Sequence, residues 1–164
     1  MTEQRYHTVQ AWFRARPTAL KLLLGGNKLL SVAVYLMYII TIAVLFFTRD
    51  PRIWRAVLVP AVVFCFGTFL RAVLNFPRPY EVYHTPALVD KDRKGQSFPS
   101  RHMFSASVLT VCAWWLWPPL GAVMAVIVLI LAPMRVLVGV HFVRDVVAGV
   151  LLGGLLGWLG FYVI

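Results

Sequence analysis

The strongest constraint on this chain is a series of apolar runs, each close to the length that crosses a lipid bilayer. A transmembrane helix needs about 20 predominantly apolar residues. The chain is 60% hydrophobic and only 13% charged, whereas soluble domains are roughly 45–50% apolar and about 25% charged. The sequence therefore predicts an all-α integral membrane bundle in a single domain, 1–164. We expect about five transmembrane helices, at 29–48, 56–76, 97–117, 122–138 and from about 141 to the C-terminus.

Two polar segments lie outside these runs. Residues 1–28 are basic and only partly apolar, which is typical of an amphipathic helix at the membrane interface. Within them, Pro17 is expected to break the helix, and Gly25–Gly26 is expected to stop it. The second segment, 77–98, is a long polar loop. It is equally consistent with a lid over a site and with a plain solvated connection.

The net charge of +10 would suggest a nucleic-acid partner in a soluble protein. In a membrane protein it indicates anchoring at the bilayer surface together with an anionic substrate, so no nucleic-acid partner is expected. Cys65 and Cys112 both sit inside apolar runs, where cysteines usually fill space between helices, and no disulfide is predicted.

Apart from Cys and Tyr, four ionisable side chains interrupt the apolar C-terminal third, namely Arg135, His141, Arg144 and Asp145. Charged residues at bilayer depth are rare and usually functional. The i, i+4 spacing of His141 and Asp145 places them on one helix face, where the carboxylate can accept the imidazole N–H. Arg135 offers a planar guanidinium that suits phosphate oxygens. The pattern predicts an activated histidine beside an anion clamp. A structural ion pair at a helix end is the alternative.

Other polar residues are expected on the same side of the membrane. Arg71 lies near the far end of the second span and Arg78 just after it, while Ser100 and His102 open the third, with Ser97 as the expected helix cap. Since each span reverses direction, all of these ends meet the Arg135–Asp145 stretch. A helix N-terminus beginning at Ser100 also presents free N–H groups to an anion. The convergence predicts a pocket for a phosphate-like group.

At this point the chain resembles the type 2 phosphatidic acid phosphatase family, which is related to the vanadium haloperoxidases. The family's motifs are Lys-x6-Arg-Pro, Pro-Ser-Gly-His and Ser-Arg-x5-His-x3-Asp. Their counterparts in this chain are Arg71-x6-Arg78-Pro79, Pro99-Ser100-Arg101-His102 and Met134-Arg135-x5-His141-x3-Asp145.

The resemblance implies a lipid phosphatase that needs no metal or other cofactor. In it, His141 would be the nucleophile that forms a phosphohistidine, Asp145 would orient it, and His102 would protonate the leaving group. The phosphate would be bound by Arg71, Arg78, Ser100, Arg101 and Arg135. The family also implies a site that faces away from the cytoplasm.

The chain departs from the family pattern at three positions. Arg71 replaces Lys, which keeps the charge but changes the geometry. Arg101 replaces Gly, so that its side chain can add a contact or point away. Met134 replaces Ser, with the loss of one possible phosphate hydrogen bond. No proton-transfer residue is missing.

Three other functions remain open from the sequence. One is a metalloenzyme that uses His84, His102, His141 and Asp145, although their spacing matches no standard zinc pattern. The second is a non-catalytic protein that binds or transports lipid head groups. The third is a lipid phosphotransferase, which would share the phosphohistidine. The lipid itself is open among prenyl diphosphates, phosphatidylglycerol phosphate and phosphatidic acid. The oligomeric state is also open.

Overall fold

The computed structural model describes residues 2–90 and 94–164, and these residues form helices and connections without a β-strand. The helices are α1 (Glu3–Arg14), α2 (Pro17–Phe47), α3 (Ile53–Leu74), α4 (Pro79–Val82), α5 (Arg101–Leu116), α6 (Pro118–Leu137) and α7 (Val143–Trp158), the last of which continues into a π-helical turn at Leu159–Val163.

Four segments are long and apolar enough to cross a membrane, and they correspond to α2, α3 with its extension to Val82, α6, and α7 with its π-helical turn. The fifth long helix, α5, has 16 residues and lies at the centre of the bundle, since residues on all of its faces are buried. A helix that is apolar all round is typical of such a buried position. The predicted all-α membrane bundle is confirmed, with a helix count that roughly agrees with the expected five. The N-terminal helix ends at Arg14, however, so residues 17–28 of the predicted amphipathic segment belong to α2.

The predicted helix stop at Gly25–Gly26 is wrong, because α2 runs without a break from Pro17. Pro17 begins this helix at a position where its missing N–H costs nothing. Gly26 allows α2 to approach α6 closely: a Cβ there would lie 2.9 Å from the Met134 side chain. Gly26, which resembles a helix stop in the sequence, therefore permits close packing of α2 on α6 instead.

Two further predicted boundaries are wrong. The cap of α5 is Ser100, not Ser97, because Pro99 lies before the helix and not in its first turn. The fourth span, expected from 122, already begins at Pro118 as α6, with Trp117 as the one residue between α5 and α6. Inside the expected 77–98 loop, Pro79 begins the short helix α4.

The close contact between α5 and α7 sets the geometry of the bundle at its polar end. A Cβ at Gly153 of α7 would collide with the backbone carbonyl of Phe104 in α5. This absence of a side chain lets the two helices touch backbone to backbone, as small residues do in membrane bundles. At the polar end, the Ser100 N–H donates a hydrogen bond of 2.8 Å to the Asp145 carbonyl oxygen. The two helix starts are thus fixed beside each other.

We predict that Gly153→Ala destabilises the bundle while Gly154→Ala does not. Gly153 faces the α5 backbone, which cannot move aside as a flexible side chain would, whereas a Cβ at Gly154 meets nothing within 4 Å. Overpacking costs about 1–3 kcal/mol, which lowers Tm by roughly 2–10 °C for a chain of this size. Thermal unfolding in detergent, followed by tryptophan fluorescence, measures both. Equal Tm values for the two variants would contradict this packing.

Candidate active site

The polar residues singled out from the sequence lie at one end of the bundle. Arg71 and Arg135 sit in the last turns of α3 and α6, and Asp145 sits in the first turn of α7. The end also carries Arg78 and Ser100, which are the N-caps of α4 and α5, and His141 in the connection between α6 and α7. All six are buried. Antiparallel helices with short connections bring these distant positions together.

His141 and Asp145 form the centre of the cluster. Their side chains are 2% and 0% exposed, and His141 Nδ1 lies 3.8 Å from Asp145 Oδ2. This distance is longer than a hydrogen bond, so the direct bond expected from the spacing is not formed. The Ser97 hydroxyl contacts both side chains. Its Oγ lies 3.5 Å from His141 Nδ1, and it donates a 2.5 Å hydrogen bond to Asp145 Oδ2. Ser97 therefore links the imidazole to the carboxylate.

The Asp145 carboxylate is held in place by its own helix start. Phe142 donates its backbone N–H to Oδ2 at 2.9 Å. On the other oxygen, the Nε of Arg144 lies 3.6 Å from Oδ1. With Nδ1 of His141 turned towards Ser97 and Asp145, the nitrogen left to act on a substrate is Nε2.

The environment of His141 keeps its imidazole neutral. Burial, helped by the nearby Arg135 and Arg78 guanidinium groups, lowers the pKa of His141 to about 4 against the opposing effect of Asp145. A neutral ring retains the lone pair that a nucleophile or base requires.

Arg135 joins the second histidine to the cluster. Its Nη2 lies 3.2 Å from His102 Nδ1, and its Nη1 donates to Asn27 Oδ1 at 3.2 Å. A guanidinium has no acceptor, so His102 Nδ1 must be the acceptor. In this arrangement His102 therefore carries its proton on Nε2. The side-chain amide oxygen of Asn27, on α2, thus accepts from the other terminal nitrogen of the same guanidinium.

Arg71 and Arg78 both hold the segment that precedes α5. Arg71 donates to the carbonyl oxygens of Gln96, Ser97 and Pro99. The Nε of Arg78 donates to the Gly95 carbonyl at 2.9 Å.

Arg78 also reaches the connection that carries His141, since its Nη1 lies 3.5 Å from the Val140 carbonyl oxygen. These two arginines thus shape the backbone around His141.

Ser100 and Arg101 contribute through the start of α5. The first amide bonded inside this helix is that of Met103, so the Arg101 and His102 amides lie outside its hydrogen-bond ladder. The Arg101 guanidinium lies over the ring of Phe64, with 5.7 Å between the guanidinium carbon and the ring centroid. Unlike Arg135 and Arg78, the Arg101 side chain is directed to α3, and its backbone is the part at the site.

Several supporting residues were not recognised from the sequence. Ser97 was predicted as a cap, but it binds Asp145 from 48 positions away, which no local pattern reveals. Asn27 contacts Arg135 across 108 positions. Glu81 had a local signal, since it follows Pro79 at the third position of a helix start. Its Oε1 accepts from the backbone N–H groups of Arg78 and Gly95, at 3.0 and 2.8 Å.

Helix α1 packs on the connection that leads to His141. The Tyr6 hydroxyl lies 3.3 Å from the Thr85 carbonyl oxygen and 3.2 Å from that of Gly139. One turn further along α1, Gln10 Nε2 donates to the Leu137 carbonyl oxygen at 3.0 Å. Gly139 has φ of 84°, and a Cβ there would lie 2.7 Å from the Tyr6 hydroxyl. Only glycine fits this backbone conformation and this contact. The N-terminal helix therefore braces the connection that carries His141.

A cavity of about 350 Å³ opens beside His102 and Arg135. It lies against α2, and its lining also includes Asn27, Lys28, Ser31, Val32, Tyr35, Val89, Val138 and Val140. Polar and apolar side chains are both present in this lining.

The zinc set considered from the sequence is not assembled. Within residues 2–90 and 94–164, no three His, Cys, Asp or Glu side chains lie close enough together to hold a metal ion. His84 is exposed in the connection after α4, whereas His141 and Asp145 are buried.

Comparisons with known proteins point to one family. A sequence model of the PAP2 superfamily matches residues 52–164. An undecaprenyl-diphosphatase from Sulfolobus acidocaldarius is 30% identical over 133 residues, which cover 77% of this chain. The matched region spans 61% of that relative's length.

Two solved structures share the fold. The transmembrane PAP2-type phosphatidylglycerolphosphate phosphatase from Bacillus subtilis superposes with a TM-score of 0.67 at 28% identity, over 97% of this chain and 85% of that one. LpxE from Aquifex aeolicus superposes with a TM-score of 0.71 at 21% identity, over 96% and 92% of the two chains. The second likeness is one of fold alone.

We predict that His141 stays neutral at pH 5.5. Its folded-state pKa of about 4 lies below the ordinary value of 6.5, because the ring is buried near two guanidinium groups. Protonation then favours the unfolded chain, so the contribution of His141 to stability is complete above about pH 6.5 and is lost as the pH falls towards 4. NMR of ¹⁵N-histidine-labelled protein, assigned with His141→Gln, reports the ring directly. A titration midpoint near 6.5 would contradict the buried site.

We also predict that Tyr6→Phe lowers the stability of the fold although it removes only one oxygen atom. Tyr6 is fully buried, and its loss of a hydroxyl leaves the Thr85 and Gly139 carbonyls without this donor. Such a loss costs about 1–3 kcal/mol. Tyr162→Phe, at a half-exposed position near the C-terminus, is the matched control. Thermal unfolding should show a lower Tm for the first variant alone, and an unchanged Tm would show that α1 does not brace the connection.

Proposed function

The chain belongs to the PAP2 superfamily, and from that membership we propose that it is a metal-independent lipid phosphate phosphatase. The substrate is a phosphomonoester or diphosphate on a membrane lipid. Candidates are a prenyl diphosphate, phosphatidylglycerol phosphate and phosphatidic acid. The reaction passes through a phosphohistidine at His141.

The observation that carries this proposal is a buried, neutral histidine next to two buried guanidinium groups. His141 has Nδ1 directed to Ser97 and Asp145, and its pKa is lowered to about 4 by burial with Arg135 and Arg78 nearby. A neutral imidazole is a competent nucleophile, while the guanidinium groups stabilise the charge on phosphate oxygens. The two requirements of phosphoryl transfer thus meet in one place.

In the first step, Nε2 of His141 attacks phosphorus and the bond between phosphorus and the lipid oxygen breaks. Nδ1–H remains directed to Ser97 and Asp145, which hold the ring as positive charge develops on it. Asp145 is suited to this role because its carboxylate is fixed by Ser97 Oγ and the Phe142 amide. The departing lipid oxygen takes a proton from His102.

The contact between Arg135 and His102 makes this proton transfer depend on substrate. While Arg135 donates to His102 Nδ1, the ring holds a single proton and cannot act as a cationic acid. A substrate phosphate competes for the same guanidinium and adds negative charge to the pocket. His102 then takes up a second proton from water on Nδ1 and gives its Nε2 proton to the leaving group.

In the second step, water attacks phosphorus and the bond to His141 Nε2 breaks. His102, now neutral, accepts the proton of the attacking water on Nε2. When inorganic phosphate leaves, the Nδ1 proton returns to the solvent, Arg135 again donates to Nδ1, and both histidines are back in their starting states. Arg71 contributes mainly by holding the carbonyls of Gln96, Ser97 and Pro99 in place, while the charges of Arg78 and Arg135 act on His141.

We propose the cell membrane as the location, with the active site facing away from the cytoplasm. Arg49, Arg52 and Arg55 lie between and at the start of helices at the opposite end, as expected on a cytoplasmic side. The basic residues of α1 lie at the active-site end. Two arginines in this region are held by the chain itself. The Arg14 guanidinium donates to the Pro86 carbonyl oxygen, and the Arg16 guanidinium lies over the Trp12 ring.

We predict that purified protein releases phosphate from lipid phosphates in detergent with a chelator present, and that His141→Ala abolishes the release. Removing a covalent nucleophile typically costs several orders of magnitude. Asp145→Asn keeps the shape but loses the charge that supports the ring, so a large drop in kcat is expected. Phosphate release from lipid in mixed micelles measures all variants.

The matched control is His84→Ala, because His84 is exposed and lies outside the buried cluster. It should retain wild-type turnover. Turnover that persists in His141→Ala would refute the phosphohistidine. If the wild type binds lipid phosphates without releasing phosphate, the protein is a binding protein or transfers the phosphoryl group to another acceptor.

A further inference from the structure

The cavity beside His102 provides room on the leaving-group side of the site. His102 and Arg135 line it together with Lys28, Ser31 and Tyr35 of α2. Since His102 protonates the leaving oxygen in the proposed reaction, the part of the lipid just beyond that oxygen occupies this cavity. The side chains that line the cavity therefore decide which leaving groups bind there.

The part of the lining that α2 supplies offers an amide donor and one positive charge to a ligand. Asn27 uses its side-chain oxygen to accept from Arg135, so the group it can offer to a ligand is its amide donor. Ser31 donates its hydroxyl proton to the backbone carbonyl oxygen of Asn27 at 2.7 Å. Lys28 supplies the cation on this wall, and it is exposed on α2. A flexible ammonium at the rim of a water-accessible cavity suits an anion with varied geometry.

We propose that Lys28 binds a second phosphate carried by the leaving group, so that the enzyme favours lipids with two phosphates over phosphatidic acid. This inference rests on the proposed function. Two lipid classes share the required chemistry: a prenyl diphosphate, whose leaving group is a prenyl phosphate, and phosphatidylglycerol phosphate, whose leaving group contains a phosphodiester. The leaving group of phosphatidic acid is a neutral diacylglycerol.

The charge on the leaving group explains why a cation there accelerates the reaction. As His141 attacks the terminal phosphorus of a diphosphate, the bridging oxygen gains the electron pair of the breaking bond. Negative charge on the departing phosphate therefore increases in the transition state, and Lys28 stabilises it more than in the ground state. In phosphatidylglycerol phosphate the second charge is further from the reacting oxygen, so Lys28 acts there mainly on binding.

The proposal is tested with Lys28→Ala, Lys28→Arg and Lys21→Ala. Lys21 is an exposed lysine two helical turns earlier on α2 and outside the cavity lining, so it controls for the loss of one charge at the membrane surface. Phosphate release is measured in mixed micelles from farnesyl diphosphate, phosphatidylglycerol phosphate and phosphatidic acid. The Tm of each variant is compared with that of the wild type, and Lys28→Gln replaces the alanine variant if the latter is unstable.

For Lys28→Ala we expect kcat/KM to fall about tenfold or more on at least one of the two-phosphate lipids and to change less than twofold on phosphatidic acid. A fall confined to kcat with farnesyl diphosphate identifies the diphosphate as the preferred class. A rise in KM with phosphatidylglycerol phosphate identifies the phosphodiester. Lys28→Arg should restore most of the rate, and Lys21→Ala should resemble the wild type.

Equal losses on all three lipids, or a loss in Lys21→Ala as large as in Lys28→Ala, would overturn the role of Lys28 while leaving the phosphatase intact. Absence of phosphate release from every lipid by the wild type would instead remove the proposed function, and the Lys28 proposal with it. The two failures are therefore distinguished within one experiment.

Discussion

The buried carboxylate of Asp145 is the interaction on which the polar end of this bundle depends. A carboxylate that is fully removed from solvent is costly unless hydrogen bonds and nearby positive charge compensate it. Here Ser97 and the Phe142 amide supply the hydrogen bonds, and the Asp145 backbone carbonyl binds the Ser100 amide. One residue thereby connects α7 with the start of α5 and with the segment before it. The position of His141 follows from these connections.

The apolar part of the chain makes this polar cluster possible. Close packing of α5 on α7, which requires the absence of a side chain at Gly153, brings the two helix starts together. The guanidinium groups of Arg71 and Arg78 then donate to backbone carbonyls on both sides of the site, at Gly95, Gln96, Ser97, Pro99 and Val140. In a bilayer such backbone groups cannot be left to water, so the arginines serve the fold as well as the charge of the site. Helix α1 completes the arrangement by covering Gly139.

The fold was predictable because the lengths of the apolar runs dictate membrane helices, and the alternation of their direction brings the three motifs to one side. The spacing of His141 and Asp145 predicted their proximity but not the 3.8 Å separation, which reflects the insertion of Ser97. Ser97 and Asn27 were beyond prediction because their partners lie far away in sequence. Gly25–Gly26 was misread because glycines that permit close packing and glycines that end a helix look alike in one sequence.

The central claim is that a neutral His141, supported by Ser97 and Asp145, becomes covalently phosphorylated. The most direct measurement is a rapid alkaline quench of the protein during turnover of a lipid labelled with ³²P in the terminal phosphate, followed by peptide mapping. Phosphohistidine survives alkali and is lost in acid. We expect label on the peptide that contains His141, and no label in His141→Ala. Turnover without label on His141, or label on another residue, would contradict the account.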